Sequence, residues 1–148
     1  MEIKFRAMNE SDRDEVINMM QVFYASDAVH TNGSAEIFNR DFDACVSASP
    51  YLEGYIIESD GKALGYGMIA KSFSTEYGVP CIWIEDIYLK EFARGRGIGP
   101  RFIEFIESKY KGHILRLEAE EKNLPAVRAY QKCGFDRMPY LEMFKFKF

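Results

Sequence analysis

Hydrophobic residues make up 47% and aromatic residues 15% of the 148-residue chain, which is enough for a folded core and excludes a disordered protein. The formal net charge of −4 argues against a nucleic-acid-binding protein. The three cysteines lie far apart and the two histidines stand alone, so the sequence predicts free thiols and no metal site.

The chain shows no signal for secretion or for membrane insertion. Its first residues, MEIKFRAMNESDRDE, are charged throughout and have no apolar core. It has no run of roughly 18 apolar residues, the length that a membrane-spanning helix needs. We therefore expect a cytoplasmic protein without a membrane partner, folded as a single domain over residues 1–148.

The first half of the chain predicts a strand, two helices and a hairpin. The alternating segment IKFRAM predicts the opening strand, and Asn9 or Ser11 is suited to cap the helix that follows. A second amphipathic helix is predicted over residues 34–46. Asp60 and Gly61 lie between two apolar runs, and because both tolerate positive φ they predict a two-residue hairpin turn.

The second half predicts strands that alternate with helices. The run VPCIWIEDIYL predicts a strand, and a glycine-rich turn leads from it to a helix over residues 100–110. A short strand is predicted in HILRLEA. The helix in NLPAVRAYQKCGF has Asn123 as a candidate cap, Pro125 in its first turn and Gly134 as a candidate stop. The segment LEMFKFKF alternates and predicts a closing strand.

These elements predict an α/β protein with one mixed sheet, in the order β-α-α-β-β-β-α-β-α-β. The sheet is expected to be antiparallel in its first half, with a βαβ crossover in its second half.

The glycine-rich turn, ARGRGIGP, excludes two common nucleotide-binding motifs. The dinucleotide fingerprint requires a third glycine where this chain has Phe102 or Pro100, and a P-loop ends in Gly-Lys-Ser/Thr rather than Gly-Pro-Arg. Two interpretations remain. The spacing Arg94-x-x-Gly97-x-Gly99 allows backbone amides to converge on a pyrophosphate at a helix start, or the glycines serve only a tight strand–helix turn.

Three features together resemble the GNAT family of N-acetyltransferases. They are the segment IEDIYLKEFARGRGIG, the segment NLPAVRAYQKCGF and the order of the elements along nearly the whole chain. The IEDIYL version is most similar to the diamine and polyamine acetyltransferases of that family. The resemblance implies a splayed central sheet, acetyl-coenzyme A as acyl donor and an amine as acceptor.

The resemblance also implies which residues hold the coenzyme. The amides of Ile87 and Leu89 would bind the pantetheine arm, which adds itself to the sheet like a strand. Asn123 would either cap its helix or hold the pantetheine. Pro100 departs from the family pattern because it has no N–H to offer the pyrophosphate. The pyrophosphate itself would lie on the turn formed by Arg94, Gly95, Arg96, Gly97, Ile98 and Gly99.

Two side chains are candidates for the proton transfers that acetyl transfer to an amine requires. Glu85 is the candidate base, acting through an ordered water, because its apolar surroundings in the strand should raise its pKa. Asp86 should point to the opposite face of the sheet unless a bulge turns both residues the same way. Tyr130 is the candidate acid for the leaving thiolate, on the helix face that it shares with Ala126.

The sequence leaves the acceptor and the oligomer open. The acceptor is expected to be an amine of a small molecule or peptide, and Asp27, Glu36 and Glu76 are candidate carboxylates to attract it. The alternating C-terminal segment indicates a possible homodimer. Two other functions remain possible, namely a non-catalytic module that binds or senses acyl-coenzyme A, and a protein-interaction domain whose glycine turn serves packing only.

Overall fold

A computed structural model describes residues 1–147, which form a five-stranded sheet in the order β1-β2-β3-β4-β5. The first four strands pair antiparallel, and β5 pairs parallel to β4 after a crossover through a helix. This mixed sheet confirms the predicted fold class. The strands are β1 (Lys4–Ala7), β2 (Leu52–Ser59), β3 (Lys62–Ser74), β4 (Val79–Leu89) and β5 (Ile114–Leu117).

Four α-helices and two short 3-10 turns accompany the sheet. The helices are α1 (Arg13–Tyr24), α2 (Ala35–Val46), α3 (Ile98–Lys109) and α4 (Leu124–Lys132), and the 3-10 turns are Glu10–Asp12 and Glu91–Ala93. The apolar side chains form two clusters: α1 and α2 pack with one, and α3 packs with the other. None of the helices in the part of the chain described here is long and apolar enough to cross a membrane.

Local sequence signals explain several boundaries. The side chain of Asn9 accepts a hydrogen bond from the amide of Ser11, and with Asp12 it forms a capping box, as expected for a helix start. Asp60 and Gly61 have φ angles of 52° and 74°, which confirms the two-residue hairpin between β2 and β3. Ser34 caps α2, because its side chain accepts a hydrogen bond from the amide of Ile37.

Two predicted boundaries are wrong. Helix α3 begins at Ile98 rather than Pro100, because Gly97 takes the left-handed conformation and starts the helix directly. Residues 141–147 form no strand, and their apolar side chains are exposed, with Leu141 at 85% and Phe144 at 81%. An alternating pattern becomes a strand only when its backbone pairs with another strand. The last residue of the predicted closing strand, Phe148, lies outside the described residues.

Glu53, at the start of β2, ties the sheet to the end of α3. Its carboxylate accepts hydrogen bonds from the hydroxyls of Tyr55 (2.7 Å) and Tyr110 (2.5 Å) and pairs with Lys71 at 2.8 Å. Burial acts to raise the pKa of Glu53, but the hydrogen bonds from Lys71, Tyr110 and Tyr55 outweigh it and lower the pKa to about 2. The ionised form therefore stabilises the fold.

We expect Glu53→Gln to lower the free energy of unfolding by about 2 kcal/mol at neutral pH. Because the folded pKa lies below the unfolded one, this stabilisation is fully present above the unfolded pKa of 4.5 and is lost as pH falls towards about 2. Urea unfolding of the natural protein and of the variant at a series of pH values should show that the difference between their free energies of unfolding becomes smaller as the pH falls. A difference that does not change with pH would contradict this role.

Candidate active site

A cavity of about 600 Å³ opens where β4 and β5 separate. The loop after α1, the second half of β4, the segment after β5 and one face of α4 line it. These elements are far apart in sequence, and the crossover brings them to one end of the sheet. The cavity brings together six of the residues that the sequence singles out, namely Glu85, Ile87, Leu89, Arg94, Asn123 and Tyr130.

The separation of β4 from β5 leaves backbone donors available. The ladder between the two strands ends at the pair Ile84 and Leu117, so the next five residues of β4 have no partner on β5. Lys90 donates its amide to the carbonyl of Leu64, on the β3 side. Because successive amides alternate in direction along a strand, those of Ile87 and Leu89 point towards the gap. The splayed sheet that the sequence predicts is confirmed.

The glycine turn lies just beyond the cavity, between β4 and α3. Arg94 lines the cavity and donates a hydrogen bond from Nε to the carbonyl of Leu89 at 2.9 Å. Gly95 and Gly97 have φ angles of 73° and 74°, which explains why both are glycines. Gly99 is different, since its φ is not positive and a Cβ there would meet no atom within 4 Å in residues 1–147.

Neither a positive φ nor a close contact with another described residue therefore explains why residue 99 is a glycine. An external occupant that approaches the backbone closely would account for it, so Gly99 favours the anion-binding interpretation over the packing one. The early start of α3 makes Ile98, Gly99 and Pro100 its first three residues. The first turn thus offers the amides of Ile98 and Gly99, and Pro100 contributes none.

Glu85 occupies a β-bulge. Strand β3 pairs Met68 with Asp86 and Ile69 with Ile84, so Glu85 is the extra residue on β4. Ile84 belongs to the cluster packed by α3, whereas Asp86 hydrogen-bonds to a residue of the opposite cluster. The bulge therefore turns Glu85 and Asp86 to the same face, and both line the cavity.

The surroundings of Glu85 suit a proton acceptor. Glu85 is accessible from the cavity, yet burial by its surroundings raises its pKa, and the charges of Asp86 and Asp41 raise it further. Burial and the charge of Asp86 also raise the pKa of Asp41, to about 6. A carboxylate whose pKa is raised takes up a proton more readily at neutral pH.

Asp86 has a different environment from its neighbour. It is only 6% exposed, and it accepts hydrogen bonds from the hydroxyl of Tyr66 at 2.8 Å and from that of Tyr24 at 3.1 and 3.2 Å. Burial raises its pKa, while the two hydroxyls act to lower it. Sequence reasoning missed this cluster, because no spacing rule links α1, β3 and β4 across the sheet.

Tyr130 and Ala126 lie on the face of α4 that borders the cavity, as the helical spacing predicts. The ring of Tyr130 packs on Phe135 with centroids 6.1 Å apart, and burial raises the pKa of its hydroxyl. Asn123 also borders the cavity, and its side chain makes no capping hydrogen bond within the described chain. The cap interpretation of Asn123 is therefore wrong.

The cavity is acidic, but its acidic residues are not those that the sequence suggested for the acceptor. Glu118 and Glu120 line it, and a hydrogen bond to Glu142 together with burial raises the pKa of Glu118 to about 7. Of the suggested residues, Glu36 pairs with Arg40 and Glu76 accepts a hydrogen bond from Tyr140 at 2.5 Å. The lining residues include none of Asp27, Glu36 and Glu76.

Comparison with known families shows to which family the chain belongs. The family model described as "Acetyltransferase (GNAT) family" matches residues 16–135, which include β2–β5, most of α1 and the whole of the other three helices. The chain is a member of the GNAT family. This confirms the family that the sequence resembles, whose model is described as one of acetyltransferases. Within residues 1–147, no group of three metal-ligating side chains exists.

A curated relative of this GNAT protein is a streptothricin acetyltransferase from Escherichia coli, which is 31% identical over 112 residues. The alignment covers 68% of this chain and 64% of the relative. This relative is named for streptothricin and not for a diamine or a polyamine, the acceptors of the subclass that the IEDIYL segment resembles. The relative therefore supports an acetyltransferase, and it does not specifically support the diamine and polyamine subclass.

Solved structures share the fold. A possible acetyltransferase from Clostridium difficile 630 superposes with a TM-score of 0.82 at 17% identity, over 99% of this chain and 97% of that one. AAC(6')-Iy in complex with the bisubstrate analog CoA-S-monomethyl-acetylneamine superposes with a TM-score of 0.80 at 16% identity, over 99% of both chains. The coenzyme A portion of that ligand agrees with the co-substrate that the sequence predicts.

Proposed function

We propose that this GNAT protein transfers an acetyl group from acetyl-coenzyme A to a primary amine of a small molecule or peptide, within a single domain over residues 1–148. One observation carries the proposal. The gap beside β4 places free backbone amides, Glu85 and Tyr130 around a single cavity that begins at the glycine turn. A packing turn alone does not account for this combination.

The coenzyme is proposed to bind along the gap. The amides of Ile87 and Leu89 point into it and suit the pantetheine arm, which would bind as an added strand. Asn123 faces the same space and is proposed to hold the pantetheine from the other side. The pyrophosphate is proposed to rest on the amides of residues 94–99, at the positive end of α3.

The proposed chemistry moves two protons. Glu85, through a water molecule, accepts a proton from the ammonium group, so that the neutral amine attacks the acetyl carbonyl. The amide of Ile87 or Leu89 donates a hydrogen bond to the oxyanion that develops. As the C–N bond forms and the C–S bond breaks, Tyr130 donates its proton to the departing thiolate, and the second proton that the nitrogen loses returns to Tyr130 through water. The products are an acetylated amine and free coenzyme A.

An acidic cavity supports a cationic acceptor. Asp86, Glu85, Glu118 and Glu120 line it, and an ammonium ion is attracted to carboxylates in a partly dry site. The resemblance to diamine and polyamine acetyltransferases supports one acceptor class. The streptothricin relative supports another. An assay with amines of both classes distinguishes them.

The proposed function is tested with purified full-length protein, acetyl-coenzyme A and a panel of amines, with detection of the free thiol. The panel contains diamines, polyamines, aminoglycosides, streptothricin, amino acids and lysine peptides. We expect the rate of thiol release to rise with at least one amine. If acetyl-coenzyme A raises the melting temperature but no amine is acetylated, the protein is a non-catalytic acyl-coenzyme A module instead.

Two neighbouring substitutions test the glycine turn. We expect Gly99→Ala to stabilise the free protein by about 0.5–1 kcal/mol, because alanine favours a helix and meets no atom within 4 Å in residues 1–147. The same change should reduce the rise in melting temperature that coenzyme A produces. Pro100→Ala should increase that rise, because it supplies an additional amide donor to the pyrophosphate. Equal shifts in both variants would contradict the proposed pyrophosphate site.

We also propose a homodimer in which residues 141–147 of one copy pair with the free edge of β5 in a second copy. The segment alternates, its apolar side chains are exposed, and β5 pairs with only one of the strands described. Light scattering should give the mass of a dimer for the natural protein and of a monomer for Phe144→Glu/Phe146→Glu. A monomeric natural protein at micromolar concentration would exclude this dimer.

A further inference from the structure

The loop over residues 25–34 forms one wall of the cavity, yet few contacts hold it. Ser26, Ala28, Val29 and His30 line the cavity, and most of the loop is exposed. Its hydrogen bonds, within the described part of the chain, stay inside the loop, the end of α1 and the start of α2, where Ser34 caps the helix. Such a segment is held in place mainly by its two ends.

Tyr24 is where both ends of this loop meet. It is the last residue of α1, so the loop leaves from it directly. At the other end, a Cβ on Gly33 would lie 3.3 Å from the ring of Tyr24 and 2.5 Å from the ring of Phe38. The rings of Tyr24 and Phe38 pack with centroids 5.1 Å apart. The position of Tyr24 therefore sets the position of the loop.

Asp86 in turn fixes Tyr24. Its carboxylate is buried and accepts the hydroxyl of Tyr24 with both oxygens, at 3.1 and 3.2 Å. The residue next to it in the strand is Glu85, the proposed base. The contact of Tyr24 with Asp86 thus joins the loop wall of the cavity to the strand that carries Glu85. A hydrogen bond to a buried carboxylate is among the stronger ones in a protein.

We propose that Asp86 is a positioning residue that holds the loop over residues 25–34 through Tyr24 and thereby determines how tightly the acceptor amine binds. It acts on the loop and does not itself transfer the proton. This inference rests on the proposed acetyl transfer, because it assigns the loop side of the cavity to the acceptor. The coenzyme is proposed to bind in the gap between β4 and β5, beside Asn123 and Tyr130.

The structure offers a matched pair of variants for the test. Tyr24→Phe and Tyr66→Phe each remove one hydroxyl from the same carboxylate, and that of Tyr66 makes the shorter bond at 2.8 Å. Tyr66 is fully buried in the sheet and is not one of the residues that line the cavity. A merely structural role of Asp86 predicts similar effects of both changes, whereas a positioning role predicts an effect of Tyr24→Phe alone.

We expect Tyr24→Phe to raise the KM for the acceptor about tenfold, as the loss of one hydrogen bond to a charged group would do, and to leave kcat and the KM for acetyl-coenzyme A unchanged. Tyr66→Phe should leave all three constants unchanged. Amide hydrogen exchange in residues 25–34 should become faster in Tyr24→Phe only.

Equal effects of the two variants, or a fall in kcat with unchanged acceptor KM, would overturn the proposal. Hydrogen exchange separates this result from a failure of the proposed function. If the natural protein acetylates no amine, the acetyl transfer is refuted, and the exchange of residues 25–34 still decides whether Tyr24 holds the loop. Unchanged exchange in Tyr24→Phe would refute that role as well.

Discussion

Replacing Tyr130 by phenylalanine is expected to lower kcat about 10²-fold or more, with little change in the KM for acetyl-coenzyme A. The hydroxyl is the proposed proton donor to the departing thiolate, and the ring, which packs on Phe135, is kept in the variant. The measurement is steady-state thiol release with the best acceptor from the amine panel. The melting temperature should stay close to that of the natural protein.

Tyr51→Phe provides the control for Tyr130. Tyr51 is 73% exposed and does not line the cavity, so the same chemical change there should leave kcat unaltered. If Tyr130→Phe also leaves kcat unaltered at saturating substrate, the thiolate leaves without help from this residue. The role of Tyr130 would then be limited to packing against the core.

Glu85→Gln is expected to lower kcat/KM about 10²-fold at neutral pH, because the amide cannot accept the ammonium proton. The pH profile gives the sharper test. Burial and the neighbouring carboxylates raise the pKa of Glu85, so the natural enzyme should lose activity as pH falls through that raised pKa. In the variant this acidic limb should disappear, leaving a flatter profile.

Two controls accompany Glu85→Gln. Glu104→Gln changes an exposed carboxylate on α3 that does not line the cavity, and it should leave the whole profile unchanged. Asp41→Asn removes a charge that raises the pKa of Glu85, so it should move the acidic limb to lower pH without abolishing it. A persistent limb in Glu85→Gln would assign it to another group, such as Asp41 with its pKa of about 6.

Local sequence signals predicted most of the fold. The hairpin at Asp60 and Gly61 and the cap at Asn9 rest on conformations that only a few residue types adopt, so single positions identify them. The amphipathic helices follow from periodicity over many residues, which averages out local exceptions. The start of α3 was misplaced by two residues, because Gly97 can begin a helix as well as precede one.

Six of the predicted site residues line the cavity, but the sequence did not predict how they are arranged there. Helical spacing was enough to place Tyr130 and Ala126 on one face. The orientation of Glu85 depended on a β-bulge that arises from the pairing of β3 with β4, and no local pattern announces it. The contacts of Asp86 with Tyr24 and Tyr66 join residues 62 and 20 positions apart, so only the assembled sheet reveals them.

At the C-terminal end of the described chain, the sequence predicted a strand that does not form. Residues 141–147 have the alternation of a strand, but the local pattern does not supply the partner that a strand requires. Tyr140 and Arg137 are instead tied to Glu76 and Glu121 through their side chains.

The ladder between β4 and β5 stops at Ile84 and Leu117, and this has a consequence for the lifetime of the protein. Because the end of β4 has no partner on β5, a ligand that binds along it would increase the free energy of unfolding of the protein. Under the proposed function, a donor molecule at 100 times its Kd would add about 2.7 kcal/mol to that resistance. Metabolic supply of the acyl donor would then govern both how fast the protein works and how long each copy survives proteolysis.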